Sequence, residues 1–220
     1  MMERNTAQSL VRTRDAHDTP AEDLNKVAAV TASFWIGKIL ATTAGDLSGD
    51  VLSISLRLGY ALALLVALAV FAPLLLAQLR TKRYVPGLYW ALLLSSAAVG
   101  AEISDGIDRA LHWGNPVGTV ALLVSTLIAL AAWFRRRGTL GSAGVRALED
   151  ERYYWLAAVL ANALGSALGD LVGEKLGVGV LGGTAVNAGI LALLLAAHRT
   201  GRAPSGLLFW AAFAVSRVPF

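Results

Sequence analysis

Residues 58–79 read LGYALALLVALAVFAPLLLAQL, a run without a single charged side chain. A helix rises about 1.5 Å per residue, so such a run can cross a hydrocarbon core of about 30 Å. Lipid cannot hydrogen-bond an open backbone, which makes a helix the expected conformation. Working outward, similar apolar blocks occupy 27–46, 85–104, 116–134, 153–171 and 178–197, with a shorter one at 207–220. The six longer blocks each run about 19–22 residues. Leu and Ala dominate them without two-residue alternation, which argues against a β-barrel.

Composition agrees. The chain is 56% hydrophobic and only 15% charged, whereas soluble domains average about 25% charged. It has no cysteine, which excludes disulfides, thiolate metal sites and cysteine nucleophiles. His17, His112 and His198 are scattered, so a histidine metal cage is not expected. Residues 1–26 are polar and of mixed charge, with no apolar core, and read as a disordered tail without a signal peptide.

The basic residues fall mostly in alternate loops: Arg4, Arg12, Arg14 and Lys26; Arg80, Lys82 and Arg83; Arg135, Arg136, Arg137, Arg146 and Arg152; Arg199 and Arg202. The positive-inside rule then predicts a cytoplasmic N-terminus. Tyr89, Trp90, Trp133, Tyr153, Tyr154 and Trp155 are expected as interfacial aromatics at that edge.

The blocks repeat. Phe34-Trp35, Tyr89-Trp90, Tyr154-Trp155 and Phe209-Trp210 align at spacings of 55, 65 and 55, the ten extra residues falling after Arg137. Gly45, Gly100 and Gly165 follow the tryptophans by ten; Gly49, Ser104 and Gly169 by fourteen; Asp50, Asp105 and Asp170 by fifteen. Gly59, Gly114 and Gly179 also share a register. The expected architecture is an all-α membrane protein of tandem parallel two-helix repeats (about 27–84, 85–137 and 150–204, with a truncated fourth at 205–220), forming a bundle of six to seven helices. The simplest packing puts the odd helices inside and the even ones toward lipid. Arg217 looks an awkward terminus in apolar surroundings.

The stretches Phe34-Trp35-x2-Lys38-Ile39-Leu40-Ala41-Thr42-Thr43-x-Gly45-Asp46-x2-Gly49-Asp50 and Asn162-x-Leu164-Gly165-x-Ala167-Leu168-Gly169-Asp170 resemble an uncharacterised family of bacterial membrane proteins defined by a repeat of unknown function. The resemblance covers about residues 26–220 and implies the architecture above and a place in a bacterial inner membrane, but no settled activity or cofactor.

Candidate chemistry lies on helical faces. Lys38, Thr42, Asp46 and Asp50 are each four apart, as are Asn162, Ser166, Asp170 and Glu174, so each set forms one stripe. In the middle repeat, Leu93, Ala97 and Ala101 precede Asp105 and Arg109, with Glu102 and Asp108 three residues either side of Asp105. Asp46, Asp50, Asp105, Asp170 and Glu174 are the expected oxygen-ligand site for a small inorganic cation. The competing reading is that these acids cap helices or face water, with Asp105 and Arg109 an ordinary i,i+4 pair and Lys38 neutralising Asp46. Gly45, Gly49, Gly100, Ser104, Gly165 and Gly169 form small-x3-small motifs expected to pack helices. No catalytic motif is present, so an enzyme is not expected. The partners expected are the lipid bilayer and a cation, not nucleic acid; a homo-oligomer stays open, since another subunit could supply a missing half-repeat. A cation transporter and a non-transporting scaffold both fit.

Overall fold

The computed structural model describes residues 25–217 other than 111, 113, 143, 176, 178 and 202, and the backbone alone at 110, 174, 175 and 180. Among the described residues there are seven α-helices and no strand. They are α1 (Ala32–Asp50), α2 (Tyr60–Arg80), α3 (Pro86–Asp105), α4 (Asn115–Arg137), α5 (Leu148–Asp170), α6 (Gly179–Arg199) and α7 (Ser205–Val215). Five are long and apolar enough to cross a membrane: α2, α3, α4, α5 and α6.

The first block differs from expectation. Thr31 caps α1 by accepting from the Phe34 amide at 3.2 Å, so the helix starts later than residue 27. It runs on to Asp50 and thereby gathers Lys38, Asp46 and Asp50 into one helix. Those charges, with the polar Thr42, Thr43 and Ser48, set α1 apart from the five apolar spans.

Each odd helix of a complete repeat ends the same way. Directly after Asp50, Asp105 and Asp170 the chain widens into a five-residue π turn, at Val51–Ser55, Gly106–Ala110 and Leu171–Lys175. The chain then reverses through positive φ at Arg57 (53°), His112 (56°) and Gly177 (65°). Two residues later come Gly59, Gly114 and Gly179, at φ 75°, 78° and 64°. At Gly59 and Gly114, φ pairs with ψ near 150°, a region that only glycine enters without strain. This backbone requirement explains the aligned glycines.

The odd helices form the interior. In the most apolar window of α3, 67% is buried, against 17% for α2 and 6% for α6. Neighbouring odd helices meet through their small residues. A Cβ on Gly45 would strike the Leu94 carbonyl of α3; one on Gly100 would come within 2.7 Å of Ala163 N on α5; one on Gly165 would strike the Ala214 carbonyl of α7. Gly49 and Ser104 are buried in the same faces, whereas Gly169 is only half-buried. Close backbone approach of this kind drives helix association in lipid.

The tryptophan end closes this row into a ring. Phe34 packs on Trp90 (6.0 Å between ring centroids), Tyr89 on Trp155 (5.4 Å), Tyr154 on Trp210 (5.5 Å) and Phe209 back on Trp35 (5.8 Å). The same step is taken four times, from α1 to α3 to α5 to α7 and back to α1. Of the aromatics expected at the membrane interface, Tyr89, Trp133, Tyr154 and Trp155 are all but fully buried, and Trp90 and Tyr153 are half-buried.

The ten extra residues after Arg137 lie over this end. Gly138 closes α4 in the left-handed conformation. The Leu140 carbonyl then accepts from Trp210 Nε1 at 3.2 Å, and Val145 is fully buried. Residues 25 and 26 pair with this linker, with Lys26 N donating to Val145 O at 3.1 Å and Val145 N to Asn25 Oδ1 at 3.1 Å. The expected tail at 1–26 therefore gives up its last two residues to the folded body; residues 1–24 lie outside the described ones.

Candidate functional site

The stripe spaced by four runs down the inside of the ring. Counting from each tryptophan, the third residues on are Lys38, Leu93, Ala158 and Phe213, all fully buried. The seventh are Thr42, Ala97, Asn162 and Arg217, and they too are buried. Helices of one repeat unit set around a common axis bring equivalent positions together in layers. The layers here pass from aromatic at the tryptophan end, through a mixed charged middle, to acidic at the aspartate end.

The middle holds a connected polar set. Lys38 Nζ donates to the Phe213 carbonyl at 2.6 Å and lies 4.7 Å from the centre of its ring. Arg217, just beyond α7, forms an ion pair with Asp46. Its Nη1 donates to the Asn162 carbonyl at 2.7 Å, and its own carbonyl accepts from Asn187 Nδ2 at 3.0 Å. Asn162 Nδ2 continues the set to Ser96 Oγ at 3.0 Å. Two expectations change here. Arg217 is a buried partner in the interior, and it is Arg217 that pairs with Asp46, while Lys38 hydrogen-bonds a carbonyl across the ring. The reason is ring closure: α7 lies beside α1, a neighbour that spacing along the chain does not reveal.

Toward the aspartate end the carboxylates gather. Glu102 is 1% exposed, and its Oε2 has no hydrogen-bond partner among the described residues. It sits against α1, since a Cβ on Gly49 would lie 3.1 Å from its Oε1. Ser53, within the first π turn, lies beside it. Asp50 and Asp105 are close enough to act on it electrostatically. Asp105 is buried and stands 3.7 Å from Arg109, the i,i+4 pair anticipated. Arg109 in turn donates to Tyr60 Oη at 3.2 Å and feels the charge of Asp170. Asp50 is exposed and Asp170 half-buried.

Asp46, Asp50, Asp105 and Asp170 are not brought together as one ligand set. Among the described residues no three His, Asp or Glu side chains are arranged to hold a metal ion. Asp46 lies deeper than the others and is held by Arg217. The Glu174 side chain lies outside the described residues. Glu102, outside the expected ligand set, is the enclosed member of the group. It shares its layer with no repeat equivalent, so the register gave it no weight: Leu47 and Ala167 occupy its place in the neighbouring repeats.

Residues 33–84, 88–139 and 153–203 match the family described as Repeat of Unknown Function (DUF347). The chain belongs to that family. No curated protein and no solved structure matches it. Each DUF347 match opens within two residues of a tryptophan and covers one odd and one even helix. The helix α7 lies beyond the third match but keeps the Phe209-Trp210 register and takes the fourth place in the ring.

Two further features of this DUF347 protein went unread in its sequence. Beside the ring, Lys26 pairs with the fully buried Glu151, and Gln78 Nε2 donates to Glu151 Oε1 at 2.9 Å and to Lys26 O at 3.1 Å. Lys26 falls in the expected tail and Glu151 in no motif of the repeat, so neither suggests burial from sequence. A cavity of about 600 Å³ also lies between α1, α6 and α7, lined by Trp35, Ile39, Leu191, Leu194, Phe209 and Ala212 among others. It is apolar, and no carboxylate lines it.

Proposed function

We propose that this DUF347 protein is a membrane carrier of a small cation, the proton included, exchanged at Glu102 with Asp50 and Asp105 beside it. The observation that carries this reading is the enclosed Glu102 carboxylate, one oxygen of which has no hydrogen-bond partner among the described residues. A buried carboxylate is costly unless a proton or cation shares its charge. Ionisable groups at membrane depth mark pathways more often than packing. In the proposed setting the protein lies in a bacterial inner membrane with its N-terminus and tryptophan end in the cytoplasm. The acids then open toward the far side. No catalytic role belongs to this reading.

The test is reconstitution into liposomes with an internal pH- or sodium-sensitive dye. The parent should carry an imposed proton or sodium gradient, and Glu102→Gln should abolish that flux while melting at an undiminished temperature. Undiminished flux in Glu102→Gln would overturn the assignment.

A second reading, a non-transporting scaffold, is favoured by the Asp46–Arg217 pair, because a neutralised acid leaves no vacancy for a passing ion. It predicts no flux in the parent at all.

A further inference from the structure

We infer that Asp46 and the Asn162 carbonyl form a binding site for small planar organic cations of the guanidinium class, a site the chain fills with its own Arg217 side chain. This site is separate from the Glu102 group and does not depend on transport.

The geometry is that of a ligand in a receptor. The guanidinium of Arg217 is bound from two helices it does not belong to, by Asp46 on α1 and by the Asn162 carbonyl on α5 at 2.7 Å. Asp46 and Arg217 are each 7% exposed, so both charges are withdrawn from water and held almost wholly by each other and by that carbonyl. Arg217 enters from just past the end of α7, anchored through its own carbonyl by Asn187 of α6. The receptor walls, α1 and α5, are positioned without it. α1 is keyed to α3 at Gly45, and α5 is keyed to α3 at Gly100.

The site selects a fork over a point charge. Lys38 lies on the same stripe as Asp46, two turns away, and is fully buried. Its ammonium nevertheless donates to the Phe213 carbonyl and rests on the Phe213 ring. The carboxylate is taken by the planar cation instead, whose separate N–H groups reach the carboxylate and a carbonyl at once. An ammonium offers no such planar arrangement. Lys38 and Asp50 also act on Asp46 through space, but among the described residues only Arg217 stands at ion-pair distance from its carboxylate.

The experiment uses the whole chain in lipid nanodiscs and guanidinium chloride at low millimolar concentration, far below its denaturing range. Arg217→Ala empties the site and should melt several degrees below the parent. Guanidinium should then restore about half or more of that loss, saturably, as ligand linkage requires. Sodium and ammonium at equal ionic strength should restore little. The parent, with its site filled, should not respond, and Arg217→Ala combined with Asp46→Asn should lose the response. If Arg217→Ala yields too little folded protein, Arg217→Gln and equilibrium dialysis with labelled guanidinium replace it: binding is expected in the variant and not in the parent. A response of equal size to sodium, or in the Asp46→Asn double variant, would overturn the inference, as would the absence of saturable binding to either Arg217 variant. Because the readout is binding and melting, a negative result would leave the flux test of Glu102 untouched.

Discussion

At the junction between α1 and α3, Gly45 lies directly on the Leu94 backbone; at the junction between α7 and α1, Arg217 reaches Asp46 and Lys38 reaches the Phe213 carbonyl. The aromatic step at the tryptophan end is the same in both places. Below it the chemistry parts. The glycine junctions hold chiefly by dispersion between backbones in contact, with the Tyr89–Tyr154 and Arg217–Asn162 hydrogen bonds beside them. The fourth junction holds by charge across a wider gap, so its strength depends on both partners and on which cation occupies Asp46. One ring thus has three fixed joints and one conditional joint.

Breaking the conditional joint on one side should have the largest effect. Arg217→Ala leaves Asp46 buried without its partner and should cost about 3–5 kcal/mol, read as a lowered melting temperature in nanodiscs. Replacing both residues by Leu should recover most of that loss. Next come the fixed joints. Gly100→Val pushes its side chain into the Asn162–Ala163 backbone and should cost about 1–3 kcal/mol by overpacking. Unlike the loss in Arg217→Ala, this one should be indifferent to added guanidinium. At the shared aromatic end, Tyr89→Phe removes the 2.6 Å hydrogen bond to Tyr154 and strands a buried hydroxyl, for about 1 kcal/mol. The smallest effect belongs to the exposed pair of Arg136 with Glu149, where Arg136→Ala should cost under about 1 kcal/mol and less in high salt.

The comparison also shows what sequence could carry. Each fixed joint has a local signature, a glycine ten residues after a tryptophan, because close approach demands the same small residue every time. The same holds for Gly59 and Gly114, where the backbone conformation admits little else. These made the repeats, the odd–even division and the packing faces legible. The conditional joint has no repeated signature. Arg217 and Lys38 are single departures at positions where the other repeats carry Thr42, Ala97 and Asn162, or Leu93, Ala158 and Phe213. Their meaning depends on α7 standing beside α1. The π turns were hidden for another reason: their sequences, Val51–Ser55, Gly106–Ala110 and Leu171–Lys175, match at no aligned position, so only the shared register of the aspartate before them could have pointed there. Glu102 was visible as an acid, but its enclosure by Gly49 and Ser53 comes from another helix.

Closure of the ring by α7 against α1 underlies the charged axis and the assignment of the Asp46 site. Because the chain has no cysteine, cysteines at Phe34 and Phe209, whose rings lie 6.0 Å apart, can be joined by a short bis-thiol reagent in native membranes. The ring predicts an efficient cross-link within one chain, matching that of a Phe34–Trp90 control pair. A control pair that links while Phe34 and Phe209 do not, or link only between chains, would contradict it.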